Sequence, residues 1–254
     1  MSVRNEQTTF GLFEGADRVA HWRVSTELRR TADEWGLVVS GLTEHESGPQ
    51  SSDVTGLCIS STVPAVLHEL RAMTSTYYPQ AAVLVMGPGV KTGLPVHVDN
   101  PREVGTDRVA NAVAAAARWG GPVVVVDLGT AITFDVVDET GRYIGGAISP
   151  GVGISVEALR RHGAQLRQVE VELPRSVIAK NTIEALQSGA VNGFAGLVDG
   201  MVTRIVSELG GPPPRVVATG HLDSAVVAAC TTLTDVEPYL TLDGLRLVYE
   251  RNQR

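Results

Sequence analysis

The amino-acid sequence predicts an α/β protein built from two similar halves with a cleft between them. Each half opens on strands joined by short turns and continues with alternating helices and strands. The second half begins on a short apolar run of four consecutive valines, Val123–Val126, of the kind that forms a buried strand. Alternation of strands and helices is typical of sheets covered by helices. The predicted boundary lies near Gly120 and Gly121, which gives domains of residues 1–119 and 120–254.

Composition excludes several classes of protein. Of the 254 residues, 43% are hydrophobic and 19% are charged, which suits a globular chain with a core. The net charge of −7 and a pI near 5.4 argue against nucleic-acid binding. No apolar stretch reaches transmembrane length, and the first ten residues lack the apolar region of a signal peptide. Cys58 and Cys230 lack metal-ligand spacing, which indicates buried free thiols in the cytoplasm.

The first half begins with two predicted strands, Thr8–Glu14 and Arg18–Ser25, joined by a turn at 15–17. Only the polar stretch 2–7 precedes them, which is too short for a full buried strand. Thr31 is a plausible cap for a helix that ends near Leu42. The half then alternates between strands and helices, predicted at 54–60, 63–77, 82–86 and 106–119.

The turn after the valine run is the first candidate site. Asp127 ends the predicted strand, and a second strand follows at Ile132–Val137. Gly129 lets a backbone or phosphate approach closely, Asp127 could hold a cation, and Thr130 could donate to an anion. The alternative is an ordinary hairpin with an Asx turn.

Four glycines share one face of a predicted helix at 183–209. They are Gly189, Gly193, Gly196 and Gly200, and each costs roughly 1 kcal/mol relative to alanine. Close approach of another backbone would offset that cost. The stripe therefore predicts either a tight contact within the chain or a subunit interface. The other elements predicted beyond residue 137 lie at 143–149, 154–161, 215–219 and 242–251.

A second candidate site lies at the junction Gly105–Arg108, where a loop enters a helix. A helix N-terminus favours anions, and Arg108 adds a fork suited to carboxylate or phosphate. Asp107 could take a proton from an acceptor hydroxyl, which is the base that phosphoryl transfer needs. The alternative is a helix-start Asp beside a solvent-facing Arg. Thr182 could form part of a plain N-cap pair, and Gly220 follows a buried strand, where α/β proteins place ligand loops.

Taken together, these stretches resemble the type III pantothenate kinases of the acetate kinase, sugar kinase, Hsp70 and actin superfamily. The resemblance covers nearly the whole chain and rests on segments 21–26, 30–34, 60–64, 87–93, 99–101, 105–108, 127–130, 145–151 and 180–182. It implies duplicated actin-like (ribonuclease H-like) domains. It also implies ATP-dependent phosphorylation of pantothenate to 4′-phosphopantothenate, the first step of coenzyme A biosynthesis, by a cytoplasmic homodimer.

The resemblance also implies residue roles. Asp107 matches the general base, and Asp127 matches the ligand of an activating monovalent cation, K⁺ or NH₄⁺, while Mg²⁺ accompanies ATP. The matched pantothenate contacts are Gly105, Thr106, Asp107, Arg108 and Thr182. The matched nucleotide contacts are Asn5, Thr8, Gly129, Thr130 and Gly220.

The chain departs from the family pattern on the nucleotide side. The family's first strand is apolar and ends in the loop Asp-x-Gly-Asn-Thr-x-Thr. Here Ser2 stands at the Mg²⁺-organising Asp, Arg4 at the Gly and Glu6 at a Thr, and His221 stands where a glycine is expected. Three functions follow: a pantothenate kinase, an impaired paralogue that binds pantothenate or regulates an active homologue, or a kinase of another small hydroxy acid.

Overall fold

The computed structural model describes residues 1–44, 50–162, 169–222 and 224–253. The chain divides into two compact units. Unit 1 comprises Met1–Gly93, Asn100–Ala114 and Thr241–Arg254, and unit 2 comprises Leu94–Asp99 and Ala115–Leu240. The predicted division had placed residues 241–254 with the second half, whereas these compact units group them with the first.

Unit 1 is built on a five-stranded sheet in which the shortest strand lies at the centre. The strands are β1 (Ser2–Val3), β2 (Gln7–Glu14), β3 (Asp17–Ser25), β4 (Gly56–Ser61) and β5 (Ala82–Val85), in the order β3-β2-β1-β4-β5. β1 pairs antiparallel with β2 and parallel with β4. The two predicted strands of the opening hairpin are confirmed, and β1 is as short as the polar sequence indicates.

Three helices follow in the first part of the chain: α1 (Ala32–Thr43), α2 (Pro64–Tyr77) and α3 (Thr106–Trp119). α1 begins at a capping box in which Thr31 and Glu34 satisfy each other's backbone N–H groups, as the cap prediction required. α2 begins with a proline at its first turn, where the missing N–H costs no bond. The core of unit 1 forms around Trp35, Ile59 and Leu70, all of which are fully buried.

Unit 2 repeats the strand order of unit 1. Its strands are β6 (Val123–Leu128), β7 (Ala131–Val137), β8 (Tyr143–Pro150), β9 (Arg215–Gly220) and β10 (Asp235–Val236), in the order β10-β9-β6-β7-β8. β6 pairs antiparallel with β7 and parallel with β9, as β1 does with β2 and β4. All six residues of β6 are buried, which confirms the prediction of a strand covered on both faces.

The remaining helices are α4 (Val152–His162), α5 (Thr182–Leu209), α6 (Ser224–Ala229) and α7 (Leu240–Asn252). Neither α6 nor β10 was predicted, because both are too short to show periodicity. None of the described helices is long and apolar enough to cross a membrane.

The glycine stripe of α5 faces open space. A Cβ added at Gly189, Gly193 or Gly196 would meet no atom of the described residues within 4 Å, and at Gly200 it would meet only the Arg204 side chain of the same helix. Among the described residues, the predicted tight contact within the chain is therefore wrong at these positions, and the subunit interface stays a prediction.

Candidate active site

Asp107 lies in the first turn of α3 in unit 1. Its Oδ1 accepts a hydrogen bond from the backbone N–H of Arg108 at 2.9 Å. A Cβ on Gly105 would lie 2.7 Å from the same oxygen, so this glycine leaves the space that the carboxylate occupies. The hydroxyl of Thr106 bonds that of Ser60 at 2.7 Å, which ties the start of α3 to the end of β4. The four predicted residues 105–108 thus form one local arrangement.

Arg4 supplies the second contact of the Asp107 carboxylate. Its Nε lies 3.5 Å from Asp107 Oδ2, and its Nη2 donates to Thr241 Oγ1 at 3.2 Å. Thr241 in turn donates to the buried Asn111 Oδ1 at 2.7 Å. The guanidinium is therefore held by Thr241 of α7 as well as by the Asp107 carboxylate of α3. An ionised carboxylate offers about four lone-pair positions, so these contacts leave capacity for a substrate hydroxyl.

The turn between β1 and β2 presents its tip to solvent. The backbone N–H of Arg4 donates to the carbonyl of Gln7 at 3.1 Å and closes the turn, with Asn5 and Glu6 exposed. Thr8 is fully buried, and its hydroxyl bonds that of Thr26 at 2.8 Å. Of the two candidate nucleotide-binding residues near this turn, Asn5 is exposed to solvent, whereas Thr8 of β2 is buried inside the sheet.

Ser2 occupies the position at which the family pattern places an Asp. It is 3% exposed, and its Oγ has no hydrogen-bond partner in the described part of the chain. Mg²⁺ is usually bound through one or two carboxylates together with substrate phosphates. A lone buried hydroxyl does not fit that role, and the described residues contain no cluster of three metal-ligating side chains.

Asp127 is the penultimate residue of β6 in unit 2 and is 4% exposed. Thr219 lies directly opposite it in β9, and the buried Thr219 Oγ1 has no partner in the structure as described. Gly220 has φ +93°, and a Cβ there would lie 2.2 Å from Asp127 Oδ1. A carboxylate and a hydroxyl on adjacent strands are oxygen ligands of the kind that hard cations take. Thr219 was not among the predicted site residues. The sequence feature that could have identified it is its position directly before Gly220.

Gly129 and Thr130 form the turn beside Asp127. The N–H of Gly151 donates to the carbonyl of Thr130 at 2.9 Å, and a Cβ on Gly151 would lie 2.1 Å from the carbonyl oxygen of Gly129. The exposed His221 donates its backbone N–H to Leu128 at 2.7 Å. The structure thus gathers Asp127, Gly129, Thr130 and Gly220 at one end of β6.

Thr182 is exposed at the first position of α5, after the N-cap Asn181, whose side chain accepts from Glu184 N at 2.9 Å. The predicted N-cap is confirmed. Thr182 belongs to unit 2, whereas 105–108 belong to unit 1.

The repeated strand order and the turns at the ends of the central strands define an actin-like α/β fold. Solved structures with this fold include a conserved Campylobacter jejuni protein assigned to the Baf family of transcriptional activators. It is 15% identical with a TM-score of 0.58, over 99% of this chain and 97% of the other. The ethanolamine utilization protein EutJ of Carboxydothermus hydrogenoformans is 12% identical with a TM-score of 0.56, over 97% and 88%.

Sequence relatives narrow the class. The family model described as type III pantothenate kinase matches residues 1–204. The type III pantothenate kinase of Thermobifida fusca is 54% identical over 99% of this chain and 98% of its own length. That of Streptomyces coelicolor is 53% identical over 99% and 97%. The chain therefore belongs to the type III pantothenate kinase family.

Proposed function

We propose that this protein transfers the γ-phosphoryl group of ATP to the hydroxyl of pantothenate and so produces 4′-phosphopantothenate for coenzyme A biosynthesis. Two findings support this function. Relatives that are about half identical over nearly their full length are named type III pantothenate kinase, and the Asp107 carboxylate at the start of α3 can still accept a hydrogen bond. The Asp107 carboxylate is the observation that carries the proposal.

Asp107 acts as the general base. The substrate hydroxyl oxygen attacks the γ-phosphorus, its proton passes to the carboxylate, and the bond to the bridging oxygen breaks to release ADP. Arg4 and the N–H of Arg108 hold the carboxylate in one orientation while it receives the proton. Phosphoryl transfer needs positioning, charge neutralisation and such a base.

Pantothenate is an acid, and the start of α3 suits its carboxylate. The helix dipole favours an anion there, and Arg108 offers a bidentate fork. Gly105, Thr106, Arg108 and Thr182 are the proposed contacts with pantothenate.

MgATP is proposed to bind through Asn5, Thr8, Gly129, Thr130 and Gly220. The last three lie around the end of β6, where Gly151 and Gly220 approach their neighbours so closely that a Cβ at either position would clash. Thr8 is fully buried, so its side chain would have to become exposed before its hydroxyl could reach a phosphate.

Asp127 is the proposed ligand of K⁺ or NH₄⁺, with the buried Thr219 hydroxyl as a second oxygen. When bound, a monovalent cation adds positive charge beside the nucleotide. The unpartnered Thr219 Oγ1 supports this proposal, because a buried polar atom without a partner is costly.

A cytoplasmic homodimer is proposed to form through the glycine face of α5. Gly189, Gly193 and Gly196 are exposed, and Ile178 and Ile183 near the start of this helix are 85% and 51% exposed. Small residues beside exposed apolar side chains suit close packing against a second copy. Both cysteines are free, as a reducing compartment requires.

The test is coupled release of ADP with pantothenate, MgATP and K⁺ or NH₄⁺. Asp107→Asn should lower kcat about 10²- to 10⁴-fold, the range for a lost general base. Glu103→Gln, an exposed carboxylate just before α3, is the matched control and should leave the rate unchanged.

Calorimetry with pantothenate separates the alternatives. Equal binding by wild type and Asp107→Asn with a large loss of rate supports the proposal. If the wild type and the variant are equally inactive while both bind pantothenate, the chain is the binding or regulatory paralogue instead.

A further inference from the structure

The turns that follow the two central strands differ in charge. Ser2 lies at the register position of unit 1 that Asp127 holds in unit 2, each between one antiparallel and one parallel neighbour. Two residues further along the chain, unit 1 has Arg4 and unit 2 has Gly129. The turn after β1 therefore has a guanidinium and lacks the strand-end carboxylate of its counterpart in unit 2.

Arg4 reaches the base of the proposed reaction from this turn. The backbone N–H of Arg4 donates to the carbonyl of Gln7 at 3.1 Å and closes the turn. Its Nε lies 3.5 Å from Asp107 Oδ2, and its Nη2 donates to Thr241 Oγ1 at 3.2 Å. The Arg4 side chain is 25% exposed, so the guanidinium lies at the edge of the site and not in the core. Its charge is thus placed beside the carboxylate that the mechanism uses.

The proposed function also fixes where the γ-phosphorus lies relative to Asp107. A general base takes its proton over about 2.6 to 3.2 Å, and the reacting atoms of a bound pair approach to about 3 to 3.5 Å. The phosphorus therefore lies no more than about 7 Å from the Asp107 oxygen that accepts the proton. Because Arg4 Nε is 3.5 Å from the Asp107 carboxylate, the guanidinium and the phosphoryl oxygens share this small region.

The transferred phosphoryl group needs positive charge in this region. Its negative charge is spread over three equatorial oxygens in the transition state, and metal ions or an arginine neutralise it. Ser2 is a buried hydroxyl and offers no carboxylate to a metal ion. Glu6 is the one carboxylate of the stretch 2–7, and it lies exposed at the tip of the turn. A planar guanidinium with five N–H donors matches the oxygens of phosphate, which suits Arg4 to supply the charge.

We propose that Arg4 is a catalytic residue that neutralises the phosphoryl group during transfer, in the role that a carboxylate-held metal ion would otherwise fill. This inference rests on the proposed function and adds a residue to the same site. As the bond between the substrate oxygen and phosphorus forms, the hydroxyl proton passes to Asp107. The bond to the bridging oxygen breaks, and its electron pair leaves with ADP. The Asp107 carboxyl is then neutral, whereas the phosphoryl oxygens remain negative, so the guanidinium exchanges its ion pair with Asp107 for one with these oxygens.

Arg4→Gln tests this role in the coupled ADP-release assay. It removes the charge and keeps a polar side chain, so kcat should fall about a hundredfold or more, as when one transition-state contact is removed. Arg18→Gln is the matched control, because the Arg18 side chain is also 25% exposed and its Nη1 lies 2.7 Å from Asp243 Oδ1 of α7. Its kcat should equal that of the wild type. Arg4→Lys keeps the charge without the planar fork and should recover part of the lost rate.

A second measurement separates contact with the phosphoryl group from positioning of Asp107. ADP with aluminium fluoride places a planar, negatively charged group where the phosphoryl group is transferred. In calorimetry with pantothenate present, Arg4→Gln should weaken the binding of ADP with aluminium fluoride about tenfold or more, the range of a lost charge-assisted contact. Binding of ADP alone and of pantothenate alone should be unchanged. A residue that only positioned Asp107 would lower kcat and leave the binding of the fluoride analogue unchanged.

The proposal is overturned, and the proposed function stands, if Arg4→Gln is as active as Arg18→Gln or binds the fluoride analogue as tightly as the wild type. It is also overturned if Glu6→Gln lowers kcat as much as Arg4→Gln, because the charge then comes from a cation held at Glu6. A wild type that binds pantothenate and releases no ADP overturns the proposed function and this inference with it.

Misfolding of Arg4→Gln, shown by loss of pantothenate binding, leaves Arg4→Lys to decide. Lysine keeps the ion pair with Asp107 but cannot form two parallel hydrogen bonds to a phosphoryl group. Weaker binding of the fluoride analogue by Arg4→Lys than by the wild type supports the proposal, and equal binding overturns it.

Discussion

The ends of the two central strands occupy equivalent places in their sheets and carry different chemistry. In unit 2, the buried carboxylate of Asp127 lies one residue before the end of β6, and Gly129 forms the turn. In unit 1, the neutral Ser2 stands at the same register position and Arg4 stands in the turn. The carboxylate of unit 1 comes instead from α3, where Asp107 meets Arg4. A repeated topology therefore does not repeat a site, because the strand-end residues decide which ligands each turn can bind.

Next to the loss of the base at Asp107, the largest expected effect comes from a substitution in unit 2. Gly220→Ala puts a Cβ 2.2 Å from Asp127 Oδ1 at φ +93°. Overpacking and backbone strain together should cost about 3 kcal/mol of unfolding free energy, measured by urea titration, and MgATP affinity should fall. Gly141→Ala, at φ +77° with no atom within 4 Å, should cost only about 1 kcal/mol. Equal losses of unfolding free energy in the two variants would show that the contact with Asp127 contributes nothing to the effect of Gly220→Ala.

A second comparison concerns the next turn of each unit. In unit 2, Asp138 accepts four hydrogen bonds from Thr140 and Arg142, at 2.7 to 2.9 Å, whereas the β2–β3 turn of unit 1 exposes Glu14 and Asp17. Burial acts to raise the pKa of Asp138, but the bonds from Arg142 and Thr140 outweigh it and hold the pKa well below 3.8. Asp138→Asn should therefore lose about 1.5 to 3 kcal/mol of stability at pH 7.

Because the pKa of Asp138 is lower in the folded state, its stabilisation is full above pH 3.8 and is lost as the pH falls through the folded value. The difference between wild type and Asp138→Asn should therefore shrink below pH 3.8 in urea titrations. Glu139→Gln, at the exposed neighbouring position, is the control and should show no such dependence. A difference that stays constant from pH 7 to pH 3 would contradict the assigned hydrogen bonds.

The smallest expected effect comes from a substitution that makes the strand-end turn of unit 1 more like that of unit 2. Glu6→Thr removes a negative charge from the exposed tip of the β1–β2 turn. Unit charges 4 Å apart in water repel by about 1 kcal/mol, so MgATP affinity should rise about fivefold by calorimetry, less at high salt. Glu6→Gln should match it, and adding Ser2→Asp should strengthen binding further. Unchanged affinity in all three would contradict the placement of phosphate at this turn.

Much of the fold could be predicted because its signals are local. The valine run of β6, the hairpin of β2 and β3, and the capped start of α1 each appear in consecutive residues. Contacts between distant residues could not be predicted. Arg4 meets Asp107 and Thr241 across more than a hundred residues of sequence, and Thr219 faces Asp127 only through sheet register.

The glycine stripe of α5 shows the same limit. Its spacing correctly places four glycines on one helix face, but spacing alone does not say what covers that face.

The most direct test of the central claim is a crystal structure with pantothenate and a non-hydrolysable ATP analogue. The account predicts that the pantothenate hydroxyl lies within hydrogen-bond distance, about 2.6 to 3.2 Å, of an Asp107 carboxylate oxygen. It also predicts that this hydroxyl points at the γ-phosphate. A hydroxyl placed away from Asp107, with the carboxylate bound only to Arg4 and the N–H of Arg108, would contradict the claim.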